Sequence, residues 1–367
     1  MKNQGILTPP RELAKIEGCI NCGLCLSRCP SLRALAQADE FYAGPRDVAT
    51  SLSRLETDAW ATADTIYYCT MCAACEAVCP MGIVVPDLVA RIRGQILQQD
   101  EEGAHRAHRA MQQSLETSGT IYGQEIEAVG REYRKDRAEW VFFGGCVFSY
   151  TEPESIRETM ALLARLGVDF TTIDEKCCGG PSAVLGAPLV PALATHNLAQ
   201  IEAAGTRKVI TACPRCYLTF SRDPAYAGLE VIHTTELLAE LGVRAKTEDV
   251  ITYHDPCELG RLRGEYDAAR QVLHGFGERF VELPHAGALS DCCGAGGGVR
   301  GAFTRLSLQI ARRRLLQAEE IGANVLLTEC PSCLHNLRNA RRRQDRVEVY
   351  NLSEYLNRLT SAPSESA

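Results

Sequence analysis

The chain contains no apolar run approaching the roughly 18 residues that cross a bilayer, and its opening, MKNQGILTPPREL, has no apolar core of the kind a secretory signal carries. These absences predict a cytoplasmic chain with no membrane span of its own. Positive charge is also scarce, with 39 Lys and Arg against 46 Asp and Glu and a formal net charge of −7. Counterion release from a nucleic acid requires a basic surface, so no nucleic-acid partner is expected. Two short basic runs, Arg312 to Arg314 and Arg341 to Arg343, read as solvated helix faces, with partner docking as the alternative. Apolar residues are plentiful, at 46% of 367 positions, which suffices for two or three domains with their own cores. Disulfide staples are therefore unnecessary, yet cysteine occurs 18 times. In a reducing compartment, clustered cysteines are metal ligands or redox groups.

Eight of them form two copies of C-x2-C-x2-C-x3-C-P: Cys19, Cys22, Cys25 and Cys29 before Pro30, and Cys69, Cys72, Cys75 and Cys79 before Pro80. This is the spacing of bacterial-type ferredoxin sites, where three close thiolates hold one 4Fe-4S cubane and the fourth crosses to the other cluster. The expected ligand sets are Cys19, Cys22, Cys25 and Cys79 for one cubane, and Cys69, Cys72, Cys75 and Cys29 for the second. Soft, anionic thiolates suit such clusters better than imidazole or carboxylate. Structural zinc uses paired ligands and has no need of a triple plus a distant fourth. Residues 30–68 leave room for helices between the two loops, which predicts a helical ferredoxin module.

Residues 88–138 contain no cysteine and are rich in Glu, Gln, Arg and Ala, a helical composition broken at TSGTIYG, residues 117–123. His105 and His108 lie one helical turn apart. Lacking a third ligand, they read as an exposed pair and not as a metal site.

The remaining ten cysteines repeat as two sets of five: Cys146, Cys177, Cys178, Cys213 and Cys216, then Cys257, Cys292, Cys293, Cys330 and Cys333. The flanks repeat with them, WVFFGGC with VITYHDPC, EKCCGGP with SDCCGAG, KVITACPRC with NVLLTECPSC, and LEVIHTTELLAELG with VEVYNLSEYLNRL. Short β-branched runs alternate with helical segments at 154–166, 188–204 and 302–321, which implies mostly parallel sheets with helical crossovers. Ligands gather at the carboxyl ends of such strands, where Cys146, Cys213, Cys257 and Cys330 fall. Tetrahedral zinc and an ordinary cubane each take four ligands, so a repeated set of five calls for a less common centre. GGGVRG, residues 296–301, satisfies a dinucleotide-binding pattern formally, but a cysteine pair stands where the preceding strand should be. Its glycines fit better as a wrap for the centre under Cys292 and Cys293.

Over nearly its whole length the chain resembles heterodisulfide reductase. The tandem CCG pattern is similar to the cysteine-rich domain of its B subunits, residues 15–100 to its C subunit, and the fusion to its D subunit. The resemblance implies two noncubane 4Fe-4S centres, one per five-cysteine set, besides the two cubanes. It also implies a disulfide substrate lying between those centres, reduced in one-electron steps or formed from thiols in reverse. The fold class is then α+β: a helical ferredoxin domain (1–100), a helical linker (101–138), two α/β CCG lobes (139–245 and 246–360) and a disordered tail (361–367). Electrons would come from a flavin-containing or membrane-cytochrome subunit, through which the chain would associate with a membrane. The substrate would be a small-molecule or protein disulfide or thiol. The alternative is an electron-transfer subunit of a flavin-dependent 2-hydroxy acid (glycolate or lactate) dehydrogenase or quinone-linked complex.

Two histidines close to cysteines by sequence, His254 and His335, are candidate proton donors to a leaving thiolate; hydrogen bonding to backbone or cluster sulfur is their other reading. Four clusters of four predict that anaerobic iron analysis of the purified protein returns about sixteen irons per chain. About eight irons, with zinc making up the difference, would overturn the paired centres.

Overall fold

The computed structural model describes residues 18–36, 44–53, 64–99, 105–125, 127 and 129–361. The first module is helical. Each of its two cysteine loops runs into a short helix or turn, and Pro30, with no N–H to lose, opens the helix Pro30–Leu35 directly after Cys29. The longest helix of the module, Val85–Gln99, buries Val85, Leu88, Val89, Ile92 and Ile96 along one face against Val48, Ala49 and Ile66.

Each CCG repeat forms a lobe around a parallel sheet. In the first lobe β1 (Trp140–Phe143), β2 (Phe170–Thr171), β3 (Lys208–Thr211) and β4 (Glu230–His233) stand in the order β2-β1-β3-β4. The second lobe orders β5 (Ile251–Tyr253), β6 (Val325–Thr328) and β7 (Glu348–Asn351) as β5-β6-β7. Phe280 bridges Ile251 in parallel, in the place that β2 holds in the first lobe. All strand pairs are parallel, as helical crossovers between successive strands require.

The lobes are related by an approximate two-fold. Helix Pro153–Arg165 packs on Leu352–Ser361, and the equivalent helices Asp267–Leu273 and Thr234–Glu240 pack on each other. One apolar core therefore runs through both lobes, from Phe142 and Ile210 to Leu326 and Leu356.

Several sequence expectations change at this level. Among the described residues the linker has one α-helix, Arg106–Thr117, and a 3-10 turn at Arg131–Tyr133; between them Gly119, Gly123 and Gly130 take positive φ, which helix cannot accommodate. Ser361 closes the last helix, while the rest of the expected tail lies outside the described residues. The arginine runs are largely tied into the fold. Arg314 is fully buried, Arg312 pairs with Asp345 and Glu319, and Arg341 pairs with Glu348.

The ferredoxin module meets the first lobe backbone to backbone. Gly186 has φ +71, and a Cβ there would lie 1.9 Å from the Ala90 carbonyl oxygen; one on Gly94 would lie 2.4 Å from the Gly186 oxygen. Only glycine permits this approach. Gly186→Ala is expected to lower the stability of the anaerobic holoprotein by roughly 2 kcal/mol or more, read by thermal unfolding. Unchanged unfolding would mean the contact is dispensable.

Candidate metal centres

In the ferredoxin module Cys19, Cys22, Cys25 and Cys79 line one cavity, and Cys29, Cys69, Cys72 and Cys75 line the next, with Cys75 on the wall of both. The local backbone explains how three closely spaced sulfurs converge. Asn21, Met71 and Ala73 are the non-glycine residues with positive φ among the described residues (56, 59 and 58°), and Gly23, equivalent to Ala73, has φ 76°. Both loops thus use left-handed turns at the same two positions, curling the chain so that the cysteines point inward. Burial pushes the Cys69 thiol up to about 11 against the pull of Arg93, and pushes Cys29 and Cys75 up as well.

The ten lobe cysteines converge as two sets. In the first, Cys146 and Cys177 lie 3.5 Å apart, and Cys178 sits between the thiols of Cys177 and Cys216, with the Gly180 N–H donating to its sulfur at 3.4 Å. These hydrogen bonds drive Cys178 well below the ordinary thiol range and push Cys177 and Cys216 up. The second lobe repeats the arrangement. Cys293, held by Cys292 and Cys333, falls to about 5, while Cys257 and Cys333 rise. All eighteen cysteines are free of disulfides. Buried, all-sulfur sets in which one thiolate leans on its neighbours' protons fit a cationic cluster core, which would replace those protons.

The two centres have unlike surroundings. The ferredoxin module caps the second lobe: Thr70 Oγ1 lies 3.6 Å from Cys292 Sγ, Arg261 Nε donates to the Cys72 carbonyl at 2.6 Å, and Arg33 pairs with Asp291 at 2.9 Å. Burial alone would raise the Asp291 carboxyl, but the Gln317 amide and the Arg33 and Arg314 cations hold it at about 2. The glycines of GGGVRG serve this contact and do not wrap their own centre: a Cβ on Gly297 would lie 2.0 Å from the Cys69 oxygen. His108 is part of the same seam, buried against Tyr67, with Nε2 3.2 Å from the Gly297 oxygen, so the expected exposed histidine pair does not exist. Between the lobes, Arg215 forms an ion pair with Glu258, close to both Cys178 and Cys257.

The two candidate proton donors fare differently. His254 lies with the sulfurs of Cys293 and Cys333 within 4.8 Å of one another, and its Nδ1 accepts from Arg314 Nε at 3.2 Å. Burial and that cation lower its pKa to about 3, so the ring is neutral and, with Nδ1 accepting, carries its proton on Nε2 close to the second-lobe sulfurs. His335 is turned away, because two residues along a helix from Cys333 is the wrong face. Its ring nitrogens are engaged by Glu152 (3.0 Å) and Asn339 (3.2 Å) in the network that joins the lobes. Sequence reasoning missed Glu175, whose carboxylate accepts from the Gly145 N–H at 2.8 Å and is raised to about 8 by burial near Cys178. Its signal was the charged pair that precedes Cys177, against Ser290 and Asp291 in the other lobe.

This architecture defines an iron–sulfur oxidoreductase component, with a two-cluster ferredoxin module joined to tandem cysteine-rich lobes. Residues 15–83 match the 4Fe-4S dicluster domain, and residues 140–221 and 251–338 match the cysteine-rich CCG domain. The chain is 30% identical to the D subunit of the dihydromethanophenazine:CoB–CoM heterodisulfide reductase of Methanosarcina barkeri, over 90% of each chain. It is 28% identical to the B subunit of the fumarate reductase (CoM/CoB) of Methanothermobacter marburgensis, covering 95% of this chain and 73% of the relative. With the EtfAB:quinone oxidoreductase of Syntrophomonas wolfei it shares 26% identity over 94% of this chain and 58% of the relative. A hypothetical protein from Helicobacter pylori has a similar fold, with a TM-score of 0.59 at 9% identity over 88% of this chain and 69% of that one. The chain belongs to the family of heterodisulfide reductase D subunits.

The first lobe has Phe143 where the second has His254. Donors to cluster sulfur raise reduction potentials, so His254→Phe is expected to lower the potential of the second-lobe centre by tens of millivolts. Redox titration followed by electron paramagnetic resonance (EPR) measures this; an unmoved potential would remove His254 from the centre.

Proposed function

We propose that this chain is the catalytic iron–sulfur subunit of a heterodisulfide reductase-like complex. Cys19, Cys22, Cys25 and Cys79 would hold one cubane and Cys69, Cys72, Cys75 and Cys29 the other. Each five-cysteine lobe set would hold one noncubane 4Fe-4S centre. The observation that carries the reading is the arrangement of two complete five-thiol sets, buried except for a partly exposed Cys257, on either side of Arg215 and Glu258, one of them against the ferredoxin loop. Reducing a disulfide to two thiols consumes two electrons and two protons, and such clusters supply electrons one at a time.

The protein's own part is to order the transfers. Ile20, Leu24 and Met81 are 63, 51 and 40% exposed around the cavity of Cys19, Cys22, Cys25 and Cys79, an apolar rim suited to a flavin or cytochrome subunit. From there the path leads through the cavity of Cys29, Cys69, Cys72 and Cys75, across the Thr70–Cys292 contact, and into the second lobe. No described helix is long and apolar enough to cross a membrane, so any membrane attachment would run through that partner.

The likeness to EtfAB:quinone oxidoreductase favours a second reading, in which the lobes relay electrons for a flavin- or quinone-linked complex without touching a disulfide. EPR of the oxidised protein separates the two readings. A signal that appears only with a disulfide supports catalysis; indifference to every thiol and disulfide supports the relay.

A further inference from the structure

Arg314, fully buried on the helix Thr304–Glu320, spends its hydrogen bonds on neutral acceptors. Nη1 donates to Gln317 Oε1 at 2.9 Å, Nη2 to Ser290 Oγ at 3.0 Å and Nε to His254 Nδ1 at 3.2 Å. A cation buried in this way is costly, so its position needs a reason. The guanidinium has no acceptor to offer. Nδ1 must therefore bring its lone pair, and the ring proton stays on Nε2, close to the sulfurs of Cys293 and Cys333.

The arginine is oriented in turn. An ionised Asp291 only accepts, so the Gln317 amide turns Nε2 toward Oδ2 at 2.7 Å and leaves Oε1 for Arg314. Asp291 also receives His285 at 3.3 Å and, from the ferredoxin module, Arg33 at 2.9 Å and Arg28 at 3.5 Å. Arg28 precedes Cys29, so a continuous polar chain starts beside a ligand candidate of one centre and ends at the sulfurs of another. The first lobe has neither end of it. Aligning Cys146 on Cys257 and Cys177 on Cys292 puts Phe143 at the position of His254 and Lys176 at that of Asp291. Tyr150, stacked on Tyr122, takes the place of Arg261, and Cys146 and Cys177 face a cavity of about 420 Å³.

We propose that Arg314 is a positioning residue, which holds the Nε2 proton of His254 toward the second-lobe sulfurs, and that Gln317 and Asp291 tie this hold to the seating of the ferredoxin module. A donor proton near cluster sulfur raises the reduction potential. The second lobe is then the better electron acceptor when the module that feeds it is in place. The inference rests on the proposed 4Fe-4S centre in that lobe and is independent of whether a disulfide is its substrate.

Gln317→Met cuts the chain without changing charge, and Arg33→Gln cuts it at the ferredoxin end. EPR-monitored redox titration of each holoprotein, at unchanged iron content, tests the proposal. Each variant is expected to raise the oxidised-to-reduced ratio of the second-lobe centre at a fixed poise about fivefold, the weight of one net hydrogen bond, while the first-lobe centre stays put. In a His254→Phe background neither variant is expected to add a further shift. Pulsed EPR of protein labelled with 15N-histidine is expected to show a nitrogen coupling that His254→Phe abolishes and Gln317→Met weakens. Should Gln317→Met fail to hold its iron, Arg33→Gln decides. An unmoved ratio, an undiminished nitrogen coupling, or a shift that persists in the His254→Phe background overturns the proposal, the last because charge alone then accounts for it. Response to disulfides is scored separately. A disulfide-dependent signal without this tuning overturns the present inference and leaves the proposed function standing. Tuning with indifference to every disulfide supports the chain and counts against the reductase reading.

Discussion

One side chain bonds to all three parts of this chain. Arg93, buried on the helix Val85–Gln99, donates from Nε and Nη2 to the Ile66 carbonyl, from Nη2 to Cys69, and from Nη1 to Val184 and Gly297. Its five N–H groups thus reach both the ferredoxin core and one loop of each lobe. Lysine, with a compact ammonium and three donors, could not span these carbonyls. The site of the bonds matters as much as their number, since Cys69 is a ligand candidate and Val184 and Gly297 follow the two CCG turns. The guanidinium therefore ties the ferredoxin loop to both lobes and also places positive charge beside the Cys69 sulfur, partly offsetting the burial that pushes its thiol up to about 11.

Around that knot, a duplicated fold has become unequal. Three strands of each sheet, the leading cysteines, the CCG turns and the C-P-x-C helices correspond, so the two sulfur sets share one plan. What differs is the ring of residues outside the cages: Phe143 against His254, Tyr150 against Arg261, Lys176 against Asp291. A handful of substitutions that leave the ligands alone give one lobe a docked ferredoxin module and a neutral histidine. The other receives a stacked tyrosine pair and a polar cavity. Arg215 and Glu258 then stand at the boundary as the only charged residues placed between cysteines of both sets that form an ion pair across it among the described residues.

Much of this was legible in the sequence, because cysteine spacing is local and the repeat carried its own strands. Each expected strand formed ahead of its cysteine, and the parallel architecture followed from strand–helix alternation. What the sequence concealed were the contacts between modules. GGGVRG looked like a wrap for its own centre because nothing local shows that its glycines meet the Cys69 backbone some 200 positions away. His108 looked like a surface residue because burial by another domain leaves no periodic trace in its own helix, and Arg314 because nothing local shows that it meets His254 and Ser290. His335 stood two positions from a ligand, and helical geometry turned it to the opposite face.

The seam between Thr70 and Cys292 also bears on how the protein is built. The second-lobe sulfurs lie beneath the ferredoxin module, whereas those of the first lobe open to a cavity. A metal core too bulky to slip past a closed interface has to be delivered to the second lobe while the module is still lifted away. The first lobe imposes no such order. With a cluster in that set, maturation would have a point of closure, after which a defective centre in the second lobe could be replaced only by parting the domains.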